Sequence, residues 1–198
     1  SGERTMLADN GANAGLDVSD LPALEGVDAI YLSGYAPLAP LSRAGVLEMV
    51  GATNSRGIPI VFDPATVGGM QGVPVEEILS WCALMDTVIM NEEEAIYLSE
   101  LSDCEAALNF FVELTPRAII KRGSAGAIGL ERGGQIISVT AQTSAVVDTT
   151  GAGDAFAAGF IDAFTDRRDF SYAMERASAV AGHCVAIVGA RGRVGTQI

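Results

Sequence analysis

Residues 151–154 read Gly-Ala-Gly-Asp, and they follow Asp148, Thr149 and Thr150. Two glycines one residue apart let the backbone turn tightly and approach a ligand. The apolar run from Ala145 to Val147 reads as the end of a strand, and Asp154 as part of the first turn of a helix reaching about Phe164. A glycine turn feeding a helix N-terminus offers free N–H groups and the positive end of the helix dipole, which suits a phosphate. A carboxylate beside a phosphate site repels the anion, so Asp154 needs its own reason to be there. It acts either as a base that takes a proton from a hydroxyl attacking phosphorus, or as a charged helix start. No Gly-Lys-Ser/Thr follows the glycines, which rejects a Walker-type loop.

The longer run Asp-Thr-Thr-Gly-Ala-Gly-Asp-Ala-Phe, residues 148–156, resembles a signature of the PfkB/ribokinase family of carbohydrate kinases. The resemblance implies that Gly151, Ala152 and Gly153 form an anion hole and that Asp154 deprotonates the acceptor hydroxyl. It implies ATP as phosphoryl donor, Mg²⁺ as its metal and a small-molecule sugar as acceptor.

A second constellation is Asn91-Glu92-Glu93-Glu94, directly after an apolar strand. Asn91 is a good N-cap and the glutamates suit the helix dipole, which explains the run without any function. Asn91 and Glu94 also match the family's Asn-x-x-Glu pair, one helical turn apart, which implies a role in ordering Mg²⁺-bound water near the phosphates. The third constellation is Lys121 with Gly123, Ser124 and Gly126 in a turn after another strand. Its turn chemistry is ordinary, and Lys121 reads equally as a surface lysine or as a triphosphate contact. The resemblance sets these four residues beside the nucleotide and adds Ser178, on a helix whose small residues permit close approach of adenine. It also implies a monovalent cation, K⁺, held by Asp148 and backbone carbonyls of Thr150, Cys184, Ile187 and Gly189. Arg193 stands where such kinases carry a small hydroxyl ligand, and a guanidinium there competes with the cation, which leaves K⁺ in doubt.

The elements that must position these residues alternate. Strands are expected over 28–33, 58–62, 87–90 and 117–121, with helices over 40–53, 75–84, from 91 onward and 104–114. This spacing predicts βαβ units and a parallel sheet with ligands at the strands' carboxyl ends. Ser33, Gly34, Asp63 and Asn91 then share one edge, and Asp63 reads as a turn cap before Pro64 or as a site carboxylate. A hairpin is expected over 127–139 and a solvated turn over 166–169. A long helix is expected from Phe170 to Val188, closed by Gly189. At the start, Thr5 to Ala8 suggests a short strand, and Arg4 a solvated charge. The fold class is α/β, ribokinase-like: a mostly parallel sheet sandwiched by helices. Residues 1–198 are read as a single nucleotide-binding domain that lacks the family's N-terminal strands and lid.

Net charge is −13 from 12 basic and 25 acidic residues. Such a surface disfavours nucleic acid and anionic membranes as partners. Cys82, Cys104 and Cys184 are scattered, and His183 is the one histidine, so a zinc site or disulfide framework is not expected and a cytoplasmic setting fits. The resemblance permits a homodimer. Three readings compete with a sugar kinase: a vitamin kinase of the same superfamily, a non-catalytic nucleotide-binding or assembly fragment, and a dinucleotide-binding oxidoreductase. The last lacks an early strand carrying Gly-x-Gly-x-x-Gly.

Overall fold

The computed structural model describes residues 11, 15–142 and 146–190. The strand expected at Thr5 to Ala8, Arg4 and Arg193 lie outside the described residues. Within them the chain runs β1 (Ile30–Ser33), α1 (Tyr35–Leu38), α2 (Arg43–Asn54), β2 (Ile60–Asp63), α3 (Val67–Met70), α4 (Val75–Cys82) and β3 (Thr87–Asn91). It continues α5 (Glu92–Ser99), α6 (Cys104–Leu114), β4 (Arg117–Lys121), β5 (Ala127–Glu131), β6 (Ile137–Val139), α7 (Ala152–Arg167) and α8 (Phe170–Val185).

The six strands lie in chain order across one sheet. β1 to β4 are parallel, and β5 and β6 are added antiparallel as the expected hairpin. Parallel strands that advance in one direction through right-handed crossovers must put every crossover helix on the same face. The core shows this division. Ile60, Phe62, Val88, Met90, Ala118 and Ile120 pack with residues of α2 to α6. The alternating residues Val61, Ile89 and Ile119 pack instead with α7 and α8. Strand side chains alternate between faces, so a strand buried on both sides reads as an unbroken apolar run, as β2 and β3 do.

The α7–α8 hairpin covers its face with aromatics. Phe160 stacks on Phe164 at 5.4 Å and meets Phe170 edge-on at 5.9 Å. Arg168, in the left-handed region at φ 55°, ends α7, and Asp169 caps α8 by accepting from the Tyr172 amide. Asp166 and Arg167 therefore belong to α7, and the expected solvated turn narrows to Arg168 and Asp169.

Two further expectations are corrected. α8 stops at Val185, with Ala186 as its cap, rather than running to Val188 and Gly189. Val146 and Val147 form no strand end, and Ala145 lies outside the described residues. The two corrections have one cause. The Val185 carbonyl accepts from the Val147 and Asp148 amides, at 2.8 and 3.2 Å, and the Gly189 amide donates to Asp148 Oδ2 at 3.0 Å. The last helical carbonyl is thus satisfied by an incoming loop, and the chain beyond it wraps the Asp148 carboxylate instead of adding a turn. No helix among the described residues is long and apolar enough to cross a membrane.

Candidate active site

Parallel register sets Ser33 level with Asp63 and Asn91 level with Lys121, all at the carboxyl ends of their strands. Sequence reading anticipated that edge. Beyond it, α7 begins on the opposite face of the sheet, so its first turn closes over the same end.

That start requires Gly151. The residue caps α7 at φ 78°, in the left-handed region, and a methyl group there would stand 2.9 Å from Ala190. An L side chain pays in strain for this conformation and in addition finds no room. Asp148 Oδ1 accepts from the Thr150 amide at 2.9 Å and the Thr150 hydroxyl at 2.6 Å, which fixes the turn into the helix. Ala152, Gly153 and Asp154 follow as the opening turn.

A cavity of about 650 Å³ opens beside this turn. Asn91, Lys121, Gly123, Ser124, Gly126 and Ser178 all line it, and so do Ala152 and Gly153. The six residues expected to touch nucleotide are therefore brought to one cavity from β3, β4, the turn after β4, and α8. Its far wall is built by close approach. Ser178 donates to the Thr140 carbonyl at 2.7 Å, and a methyl on Gly182 would stand 1.9 Å from the Gln142 carbonyl. Only a residue without Cβ lets α8 pass so near the chain leaving β6.

Asp154 is exposed and opens elsewhere. It borders a second hollow of about 560 Å³ with Asp28, Tyr31 and Asp162. The Tyr31 hydroxyl lies 3.5 Å from Asp154 Oδ1, at the long limit for a hydrogen bond. Burial first, and then the carboxylates of Asp63 and Asp154, hold the Tyr31 phenol above its ordinary pKa, so it stays a neutral donor. Sequence reading passed over Tyr31. The available signal was strand alternation, since Ile30 and Leu32 pack on the α2–α6 face and Tyr31 between them must face α7.

Lys121 is not a surface lysine. Its ammonium donates to Asp63 Oδ2 at 2.8 Å, with side-chain exposures of 17% and 11%. Asp63 caps the turn before Pro64, its Oδ1 accepting from the Ala65 amide at 2.9 Å, while its other oxygen meets Lys121. Asn91 and Glu94 form a reciprocal cap. Asn91 Oδ1 accepts from the Glu94 amide, while the Asn91 amide and Nδ2 donate to Glu94 at 2.8 and 2.7 Å. Glu94 is only 2% exposed. Burial pushes its carboxyl up to about 7, against the opposing effect of the Asn91 hydrogen bond.

The five residues expected around a monovalent cation are gathered in one knot. Besides the Asp148 contacts, Cys184 Sγ lies 3.5 Å from the Thr150 carbonyl, and the Ile187 amide donates to the Cys184 carbonyl at 3.3 Å. Among the described residues no three His, Cys, Asp or Glu side chains converge to hold a metal. A divalent ion bound here would keep most of its coordination as water and phosphate oxygen, as Mg²⁺ commonly does.

The profile of the pfkB family of carbohydrate kinases matches residues 1–195. An uncharacterized sugar kinase of Archaeoglobus fulgidus is 27% identical over 198 residues, covering 96% of this chain and 74% of that protein. A fructokinase of Klebsiella pneumoniae is 31% identical over 170 residues, covering 81% of this chain and 54% of its own length. Among solved structures, a probable sugar kinase from Rhizobium etli superposes with a TM-score of 0.83 at 26% identity, over 90% of this chain and 55% of that one. Adenosine kinase from Sinorhizobium meliloti shares the fold at a TM-score of 0.84 and 24% identity, over 91% of this chain and 56% of that one. The chain thus spans from about half to three quarters of the length of these relatives.

Proposed function

The chain belongs to the pfkB family of carbohydrate kinases, and from that premise we propose that it is the nucleotide-binding and phosphoryl-transfer part of an ATP-dependent sugar kinase. The observation that carries this reading is the single cavity lined by Asn91, Lys121, Gly123, Ser124, Gly126 and Ser178, with Ala152 and Gly153 at its edge. ATP lies in that cavity with adenine toward Ser178 and its phosphates toward Lys121 and the start of α7.

Asp154 lies one residue beyond the glycines, on the side away from the nucleotide. In this reading it takes the proton from the acceptor hydroxyl as that oxygen bonds to the γ-phosphorus. The bond from the γ-phosphorus to the bridging oxygen breaks, and ADP leaves with the electron pair. The amides of Gly151, Ala152 and Gly153, at the positive end of α7, stabilise charge on the transferring group. Tyr31 hydrogen-bonds to Asp154 and steadies its orientation. Asn91 and Glu94 would hold the water shell of Mg²⁺, which supplies charge neutralisation for the triphosphate. The Asp148 knot tethers the α7 start to the end of α8, and a monovalent cation bound there would reinforce the tether.

The test is calorimetric titration of the folded chain with MgATP and, separately, with NAD. Saturable MgATP binding that ADP competes away, without NAD binding, supports the kinase reading. NAD binding without MgATP binding favours an oxidoreductase instead.

A further inference from the structure

The Asp63 and Lys121 side chains meet across an intervening strand. β3 separates β2 from β4, so the lysine must reach over Asn91, with which it stands level. Lys121 is the chain's one lysine. Its ammonium touches Asp63 at 2.8 Å, and a methyl group on Gly153 would stand 3.2 Å from the same nitrogen, with no other described atom within 4 Å beyond its chain neighbours and its own helix backbone. The cation therefore sits directly over the second glycine of the turn. The Asp63 carboxylate that meets it is fixed in turn by the Ala65 amide, and Ala65 adopts φ 79°, a left-handed conformation uncommon for alanine. Strained backbone of this kind persists where the surroundings over-determine it.

Resting on the phosphoryl-transfer reading above, we propose that Asp63 is a positioning residue that holds the Lys121 ammonium against Gly153, facing the phosphoryl group at the start of α7. A lysine ammonium has three donors. Asp63 takes one, which leaves two for phosphate oxygens. Lysine is a point charge on a flexible stem, so without a tether it samples many rotamers.

Charge alone predicts the opposite of positioning. An extra carboxylate lowers the local positive potential, and removing it should tighten phosphate binding. The two accounts differ in sign.

Calorimetric titration with MgATP and with adenosine separates them, using wild type, Asp63→Asn, Lys121→Met and the double variant. The expected result is a loss of MgATP affinity of about tenfold or more for Lys121→Met and about threefold or more for Asp63→Asn, with the double variant no weaker than Lys121→Met. Adenosine affinity, which needs no phosphate contact, stays within about twofold throughout. Asp63→Asn binding MgATP as well as wild type or better overturns the proposal, and so do independent, additive losses in the double variant. Folded wild type that binds neither probe overturns the nucleotide-cavity reading itself, and this proposal with it. If Asp63→Asn does not fold, Asp63→Glu replaces it, since the charge is kept but displaced. A drop in MgATP affinity then supports positioning, and wild-type affinity overturns it.

Discussion

Gly153 and Asp154 are consecutive in the chain yet open onto different hollows. Gly153 lines the larger cavity with Lys121, and Asp154 borders the other with Tyr31. Helical residues turn by about 100° each, so the first turn of α7 presents neighbouring residues to different directions. In the proposed reading, a phosphoryl donor on one side and a hydroxyl acceptor on the other would meet at the helix start. Under the proposed function, one short turn would serve as anion hole and base together.

Asp154→Asn separates the two roles. The amide keeps the shape but takes no proton, so turnover falls by about 10² to 10⁴-fold, the usual range for a general base. MgATP affinity stays near wild type. Single-turnover assay of phosphoryl transfer beside calorimetry checks both, and full turnover in the variant refutes the base role.

Glu94 makes stability depend on pH. Its folded-state value is raised to about 7 from an ordinary 4.5. The protonated form therefore suits the buried site better. The stability it contributes is fully present below about pH 4.5 and is lost as pH rises through 7, by an amount on the order of 3 kcal/mol. Glu94→Gln keeps a neutral side chain at all pH. The stability difference between wild type and Glu94→Gln, followed by urea unfolding from pH 4.5 to 8, should move against wild type as pH rises. A difference that does not change with pH contradicts this.

Ala65→Gly should raise stability. Alanine at φ 79° bears a left-handed strain that glycine escapes. Relief of about 1–2 kcal/mol is set against a larger backbone entropy loss of about 0.5–1 kcal/mol, so a small net gain is expected. A fall in urea midpoint for this variant would show that the strain is not present in solution.

Gly182→Ala should damage the far wall of the cavity. Its methyl would meet the Gln142 carbonyl at 1.9 Å, which only backbone movement relieves. A loss of about 1–3 kcal/mol in stability is expected, the usual range for overpacking, together with weaker adenosine binding. Unchanged binding would mean that this wall lies outside the nucleotide contact.

Much of the fold was legible because each layer leaves a local trace. Cys104–Leu114 and Arg117–Lys121 match their expected bounds, as an apolar stripe at helical spacing and a short apolar run ending in charge should. α8 was overextended because its Ala-rich pattern continues past Val185. Its end is set by amides of Val147 and Asp148, which lie far earlier in the chain. The Asn91–Glu94 cap was legible because both partners lie within one helical turn.

The available chemistry is written in the chain itself: a glycine turn at a helix start, a carboxylate one residue beyond it, a capped Asn-x-x-Glu and one lysine. The layers are written there too, since the strand and helix periods are local. Which groups meet was settled by folding. Lys121 found Asp63 across β3 rather than water, Tyr31 came to Asp154 from 123 residues away, and six residues from four segments closed on one cavity. The physical reason is that a side chain's neighbours depend on how strands register and which face a crossover helix covers. Both are settled by burial of the whole apolar sheet, not by the residues beside it in the chain.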